Sequence, residues 1–156
     1  KMIFKDLEIV MEERIKKVKV LTSGVFDILN LGHIKILTQA RSLGDYLICC
    51  VQDDISAFKS KGEKPILSID ERVDQIKALS FIDEVVVYSD IDQRSLWKKL
   101  NPNIIVQGDD YIHSGDRADA LKYIKENHIR LILLPRTKDI STSIIKQRVT
   151  SSIKLD

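Results

Sequence analysis

Five short apolar runs recur along the chain, and each is followed by a stretch with helical spacing. The runs are Val18 to Leu21 (interrupted only by Lys19), Tyr46 to Val51, Glu84 to Tyr88, Asn103 to Gln107 and Arg130 to Leu134. A strand that is apolar at nearly every position is buried on both faces, as in a parallel sheet covered by helices. Strands alternating with helices therefore predict one doubly wound α/β domain: a five-stranded parallel sheet with helices on both faces. The 156 residues suffice for one such core.

Composition narrows the classes. Hydrophobic residues make up 44% and charged residues 31%, as in an ordinary soluble globular protein. A net charge of +2, with no basic block interleaved with aromatics, argues against a nucleic-acid binder. No apolar run approaches membrane-spanning length and no signal peptide is visible, so membrane insertion is not expected and the cytoplasm is. Cys49 and Cys50 are adjacent in an apolar strand, so their side chains point to opposite faces and read as reduced core residues. Residues 1–17, with Ile3, Leu7, Val10 and Met11 at spacings of three and four, read as an amphipathic helical extension. Residues 18–150 form the domain and 151–156 a tail. Lys1 precedes Met2, which leaves open whether the chain is part of a longer protein.

The most informative stretch is Leu21-Thr22-Ser23-Gly24-Val25-Phe26-Asp27-Ile28-Leu29-Asn30-Leu31-Gly32-His33. A strand passes through a glycine-bearing loop into a helix carrying Ile36, Leu37 and Ala40. The free N–H groups of that helix, with its dipole, make an anion site. Gly32 permits close approach to the backbone, and His33 sets an imidazole in the first turn beside any phosphate held there. Asp53-Asp54 follows the second strand, and the simpler reading is that one of them caps the next helix. Phe58 to Pro65 reads as a polar loop with Lys59, Lys61 and Lys64. Ser68-Ile69-Asp70-Glu71 is a capping box. Arg72, a cation in the first turn of that helix, is badly placed against the dipole unless an anion meets it, which makes it a candidate substrate contact. His113 reads as an exposed loop residue, and His128 as a donor at a helix C-terminus. At the far end, Pro135-Arg136-Thr137-Lys138-Asp139-Ile140-Ser141-Thr142 brings an arginine and two hydroxyls to the start of a last helix whose Ile145 and Val149 are expected to face inward. This is a second phosphate grip.

The first stretch resembles the G-x-F-D-x-x-H-x-G-H element of the cytidylyltransferase-like nucleotidyltransferases, with Asn30 in place of the first histidine and His33 as the second. Gly108-Asp109-Asp110 resembles that family's G-D-D loop. The Arg136 to Ile145 stretch resembles the R-T-x-G-I-S-T-T-x-I element of its glycerol-3-phosphate cytidylyltransferases, with Asp139 where glycine is usual. The resemblance, over residues 18–149, implies a Rossmann-like fold. It also implies transfer of a cytidylyl group from CTP, carrying Mg2+, to a phosphorylated small alcohol (polyol, sugar or choline-type), with release of pyrophosphate. Nucleotide contacts are implied for Ser23, Gly24, Val25, Phe26, Gly32, His33, Gly108, Asp109, Asp110, Arg136, Thr137, Ile140, Ser141 and Thr142. Catalytic roles fall to His33, Asn30, Lys59 or Lys61, and Arg136, and acceptor contacts to Asp27, Lys59, Lys61 and Arg72. No protein side chain is assigned to metal.

Members of the family often pair as homodimers, for which the N-terminal helix is available. An arginine near the end of the Ser68 helix in glycerol-3-phosphate cytidylyltransferases is Ser80 here. Asparagine donates a neutral hydrogen bond but carries no charge. Losing a charge-assisted contact to a developing oxyanion is worth on the order of 3 kcal/mol, about a hundredfold in rate. Asn30 therefore admits an active enzyme that tolerates it, a substitution that weakens turnover, or a relative that binds nucleotide only. ATP in place of CTP is the further alternative.

Overall fold

The computed structural model describes residues 16–113, 115 and 117–153. The helix expected before the domain lies outside the described residues, except for residues 16 and 17, which are not helical. Five strands, β1 (Lys19–Gly24), β2 (Tyr46–Gln52), β3 (Glu84–Tyr88), β4 (Ile104–Gly108) and β5 (Arg130–Leu134), form one sheet in the order β3-β2-β1-β4-β5. Every pairing is parallel; β1 is central, with Leu21 opposite Ile48 on one side and Ile105 on the other. The helices are α1 (Leu31–Arg41), α2 (Asp54–Lys61), α3 (Ile69–Lys77), α4 (Arg94–Leu100), α5 (Ala118–Glu126) and α6 (Thr142–Ser152). This is the doubly wound arrangement that the apolar runs predict and the Rossmann-like fold that the resemblance implies.

Period-two alternation sorts the strand side chains into two cores. On one face Leu21, Ile48, Cys50 and Ile105 pack against Trp97 of α4 and Ile124 of α5. On the other, Val20, Leu47, Cys49, Val51, Ile104 and Val106 meet Leu37 and Ala40 of α1 and Ile76 of α3. The adjacent cysteines thus enter different cores, both as free thiols whose pKa values burial pushes up. Among the described residues no helix is long and apolar enough to cross a membrane.

Three local expectations are corrected. The polar loop expected from Phe58 begins only at Gly62. Asp53 caps α2 by accepting from the Ser56 N–H at 2.7 Å, buried Ala57 anchors the helix, and Gly62 ends it at φ 77°. In α6 only the first turn reaches the body: Ile144, Ile145 and Lys146 are half-buried, whereas Val149 is 54% exposed. From Gln147 onward every residue of the helix is exposed, so its later apolar position has no core to enter. Ser151 and Ser152 belong to this helix and not to a tail.

Gly44 joins α1 to β2 where the chain passes tightly against β1. A methyl there would lie 2.6 Å from both the Val18 carbonyl oxygen and Val20 Cγ2. Gly44→Ala is expected to destabilise the domain by about 1–3 kcal/mol. At roughly 2–4 °C per kcal/mol, a melting curve will register the loss as a Tm lower by several degrees.

Candidate functional site

In an open parallel sheet, ligands bind beyond the carboxyl ends of the strands, where the strand order reverses. That point here lies between β1 and β4. A cleft of about 630 Å³ opens there, walled by the ends of both strands, the β1–α1 turn, the end of α2, the β5–α6 turn and the first turn of α6.

The β1–α1 turn is built under strain. Phe26 (φ 53°) and Ile28 (φ 48°) sit in the left-handed region, an outlying conformation for a β-branched residue. Contacts from distant parts of the chain hold it. The buried Asp27 carboxylate accepts from the N–H groups of Ile66 (2.9 Å) and Leu67 (3.0 Å). The Asp27 carbonyl accepts from Thr142 Oγ1 at 2.7 Å, and the Val25 carbonyl from Arg72 Nη1 at 2.6 Å. Asn30 then caps α1: its Oδ1 accepts from the Gly32 N–H, and the Asn30 N–H donates to His33 Nδ1 at 3.3 Å. A methyl on Gly32 would meet the Ile140 carbonyl oxygen at 3.4 Å, so the two phosphate-grip turns are in contact.

Because His33 Nδ1 accepts that N–H, the proton of the neutral ring sits on Nε2. The ring packs edge-on to Phe26, with centroids 5.5 Å apart. Burial, reinforced by nearby Lys61 and opposed by Asp27, lowers its pKa from 6.5 to about 4. At neutral pH His33 is therefore an uncharged donor. Solvent reaches Lys61, yet the cleft walls and Arg136 lower its pKa, against the pull of Asp27, Glu63 and Asp110. Arg136 pairs with Asp110, and Lys146 with Glu63 at 3.3 Å. Six cationic side chains line the cleft (Lys35, Lys61, Lys64, Arg136, Lys138 and Lys146) against the carboxylates Asp27, Glu63 and Asp110. That excess suits a polyanion.

Most of the expected site residues meet here: Ser23, Gly24, Val25, Phe26, Asp27, Asn30, Gly32, His33, Lys61, Gly108, Asp110, Arg136, Thr137, Ile140, Ser141 and Thr142 all line the cleft. Three do not. Lys59 lies two residues from Lys61 on α2, about 200° around the helix, and points away. Asp109 is exposed outside the cleft, and its N–H donates to the Leu134 carbonyl. Arg72 is fully buried. Its guanidinium donates to the carbonyls of Val25, Gln52 and Leu67 and pairs with Asp54 at 2.6 Å, so the anion that meets this first-turn cation is internal. Asp27, expected to touch the acceptor, has both carboxylate oxygens occupied by backbone N–H groups and acts by holding the turn.

The sequence reading missed Gln107, whose Nε2 donates to Ser23 Oγ at 2.6 Å while Ser23 Oγ donates to Gln93 Oε1 at 2.7 Å. It also missed Lys146, one helical turn after Thr142 on α6. A polar residue closing an apolar strand, and a cation four residues beyond a helix-opening hydroxyl, were the available signals. Asp139 takes φ 60°, the left-handed geometry that the usual glycine provides, and aspartate is one of the few side chains that visits it readily.

A parallel sheet of this order, with two helix N-termini and a cationic cleft at its reversal point, defines a nucleotide-binding α/β fold of the phosphate-gripping kind. The chain belongs to the cytidylyltransferase-like family, whose sequence pattern matches residues 21–148. It is 38% identical over 143 residues to Bifunctional protein HldE of Campylobacter concisus, covering 91% of this chain and 29% of that protein. It is 35% identical over 147 residues to FAD synthase of Thermococcus kodakarensis, covering 91% of this chain and 98% of that one. The crystal structure of the lipopolysaccharide core biosynthesis protein from Thermoplasma volcanium superposes with a TM-score of 0.65 at 30% identity, covering 78% of this chain and 98% of that chain. The chain thus spans under a third of one relative and nearly all of the other.

Two outcomes follow from the site's construction. Arg72→Leu strips donors from three main-chain carbonyls and leaves Asp54 without its cation. Urea unfolding should show a loss of about 3 kcal/mol or more. His33 has a folded pKa below its ordinary value, so between pH 6.5 and about 4 the unfolded chain binds the extra proton. Its contribution to stability is complete above that window and is lost as pH falls through it. His33→Gln keeps an acceptor for the Asn30 N–H without titrating. Its urea midpoint should therefore fall less between pH 7 and pH 4 than that of the unsubstituted protein.

Proposed function

We propose that the chain is a nucleotidyltransferase acting on a small phosphorylated acceptor. An acceptor phosphate oxygen attacks the α-phosphorus of a nucleoside triphosphate. A new P–O–P bridge forms, the α–β bridging bond breaks, and pyrophosphate leaves. The nucleophile is already anionic, so no strong base is needed and catalysis consists of alignment and charge stabilisation. One observation carries this reading: the N-termini of α1 and α6, from opposite ends of the chain, face one cationic cleft through turns that touch each other.

In this reading His33 Nε2 donates to a phosphate oxygen, Lys61 and Arg136 neutralise the phosphate chain, and the hydroxyls of Ser141 and Thr142 lie at its edge. Among the described residues no three His, Cys, Asp or Glu side chains come together as a metal cage. An Mg2+ ion entering with the nucleotide would neutralise triphosphate charge. The R-T-x-x-I-S-T ending favours CTP. The relatives named FAD synthase make a dinucleotide that contains adenine, and this favours ATP; both donors belong in the test.

Pyrophosphate release is to be followed with ATP or CTP and a panel of alcohol and sugar phosphates, the product being identified by mass spectrometry. Turnover with one donor is the expected result, together with a rise in Tm on adding that nucleotide. Lys61→Ala should cut kcat/KM by about ten- to a hundredfold, the worth of a hydrogen bond to a charged group. Lys59→Ala should stay within about twofold, as for a surface site. Equal losses at the two lysines, or no turnover with any pair, would overturn the reading.

A further inference from the structure

Asn30 stands where the resembled family carries a histidine, yet its side chain is already occupied on both sides. Its Oδ1 accepts from the Gly32 N–H at 3.0 Å. Its Nδ2 donates to the Ile28 carbonyl at 3.0 Å and reaches Thr142 Oγ1 at 3.5 Å. Thr142 Oγ1 in turn donates to the Asp27 carbonyl at 2.7 Å. One small amide therefore caps α1, ties down the carbonyl of left-handed Ile28 and reaches across 112 residues of sequence to the first residue of α6.

We infer that Asn30 is a positioning residue: it clasps the β1–α1 turn to the start of α6 and so fixes the spacing of the two phosphate grips, instead of donating to the reacting phosphate. To meet a phosphate, Nδ2 would have to turn one of its two N–H groups away from the Ile28 carbonyl or from Thr142 Oγ1. Loss of the first contact frees a strained turn, and loss of the second unfastens that turn from α6. The lone imidazole, His33, then takes the donor role by itself. The clasp stands on the contacts; its consequence for nucleotide rests on the function proposed above.

A double-mutant cycle separates the two. Asn30→Ser keeps a good N-cap and drops the Nδ2 donor; Thr142→Val drops the hydroxyl. Each single variant and the pair are to be unfolded in urea and titrated with ATP and with CTP by calorimetry. The clasp predicts coupling in urea, with the double variant losing less than the sum of the singles. It also predicts that Kd for the preferred nucleotide rises about three- to tenfold in each single variant, the worth of an ordinary hydrogen bond, and no further in the pair. Asn30→Asp, which caps as well but cannot donate, should reproduce the lost coupling in urea. Asn30→His should bind nucleotide more weakly. Additive losses in urea overturn the clasp. Multiplying Kd effects, or tighter binding by Asn30→His, overturn the positioning role in favour of a direct phosphate donor. If the unsubstituted protein binds neither nucleotide while the urea coupling is present, the clasp stands and the nucleotidyltransferase reading falls.

Discussion

The architecture of the cleft depends on holding one strained turn. Left-handed Phe26 and Ile28 each cost on the order of 1–3 kcal/mol relative to ordinary backbone, and the turn keeps this shape because contacts from four directions over-determine it. Arg72 comes up from α3, the N–H groups of Ile66 and Leu67 meet the Asp27 carboxylate, Thr142 meets the Asp27 carbonyl, and Asn30 meets Ile28. The same strain aims the start of α1 at the crevice. Without those anchors the chain between Gly24 and Asn30 would relax, and the helix N-terminus would no longer face the second grip.

The electrostatics of the cleft follow from that placement. Two helix N-termini add partial positive charge to a surface already lined by more cations than carboxylates. Burial, joined by Arg136, lowers the pKa of Lys61, and burial, joined by Lys61, keeps His33 neutral. The Arg136–Asp110 and Lys146–Glu63 pairs hold two of the cations at the walls. On the function proposed above, a polyanion entering there would replace carboxylate partners with phosphate oxygens, and neutral His33 would donate without taking a proton from solvent.

The fold was largely legible because each strand is buried on both faces and so reads as a continuous apolar run, and because glycine and capping signals mark the helix ends. The Ser68–Glu71 box and the separation of Cys49 from Cys50 are local properties of this kind. The site was legible where a backbone geometry writes itself into sequence, as at Gly32, His33 and Ser141-Thr142. It was illegible where a partner is remote. Nothing near Arg72 announces that Val25, Gln52 and Leu67 will supply its acceptors, and the choice between Lys59 and Lys61 turned on whether α2 continues to Gly62. Gln107 and Val149 show the same limit: one is drawn into a polar contact with Ser23, the other is left without a core, and both outcomes are decided by how elements meet.

Asn30 and Asp139, two departures from the resembled motifs, share one physical logic. Each occupies a position where backbone geometry makes the first demand: an N-cap before α1 and a left-handed residue before α6. Asparagine is among the strongest N-caps, and aspartate is one of the few non-glycine residues at ease at positive φ. Both turns therefore keep their shape while the chemistry they present changes. A possible cation is replaced at one turn by a neutral amide, and a carboxylate is added at the other. The positive charge of the cleft then comes from Arg136, at the head of the second motif, and from side chains outside both motifs such as Lys61 and Lys146. Most of the site's charge is thus supplied from outside the two motifs, and its geometry from within them.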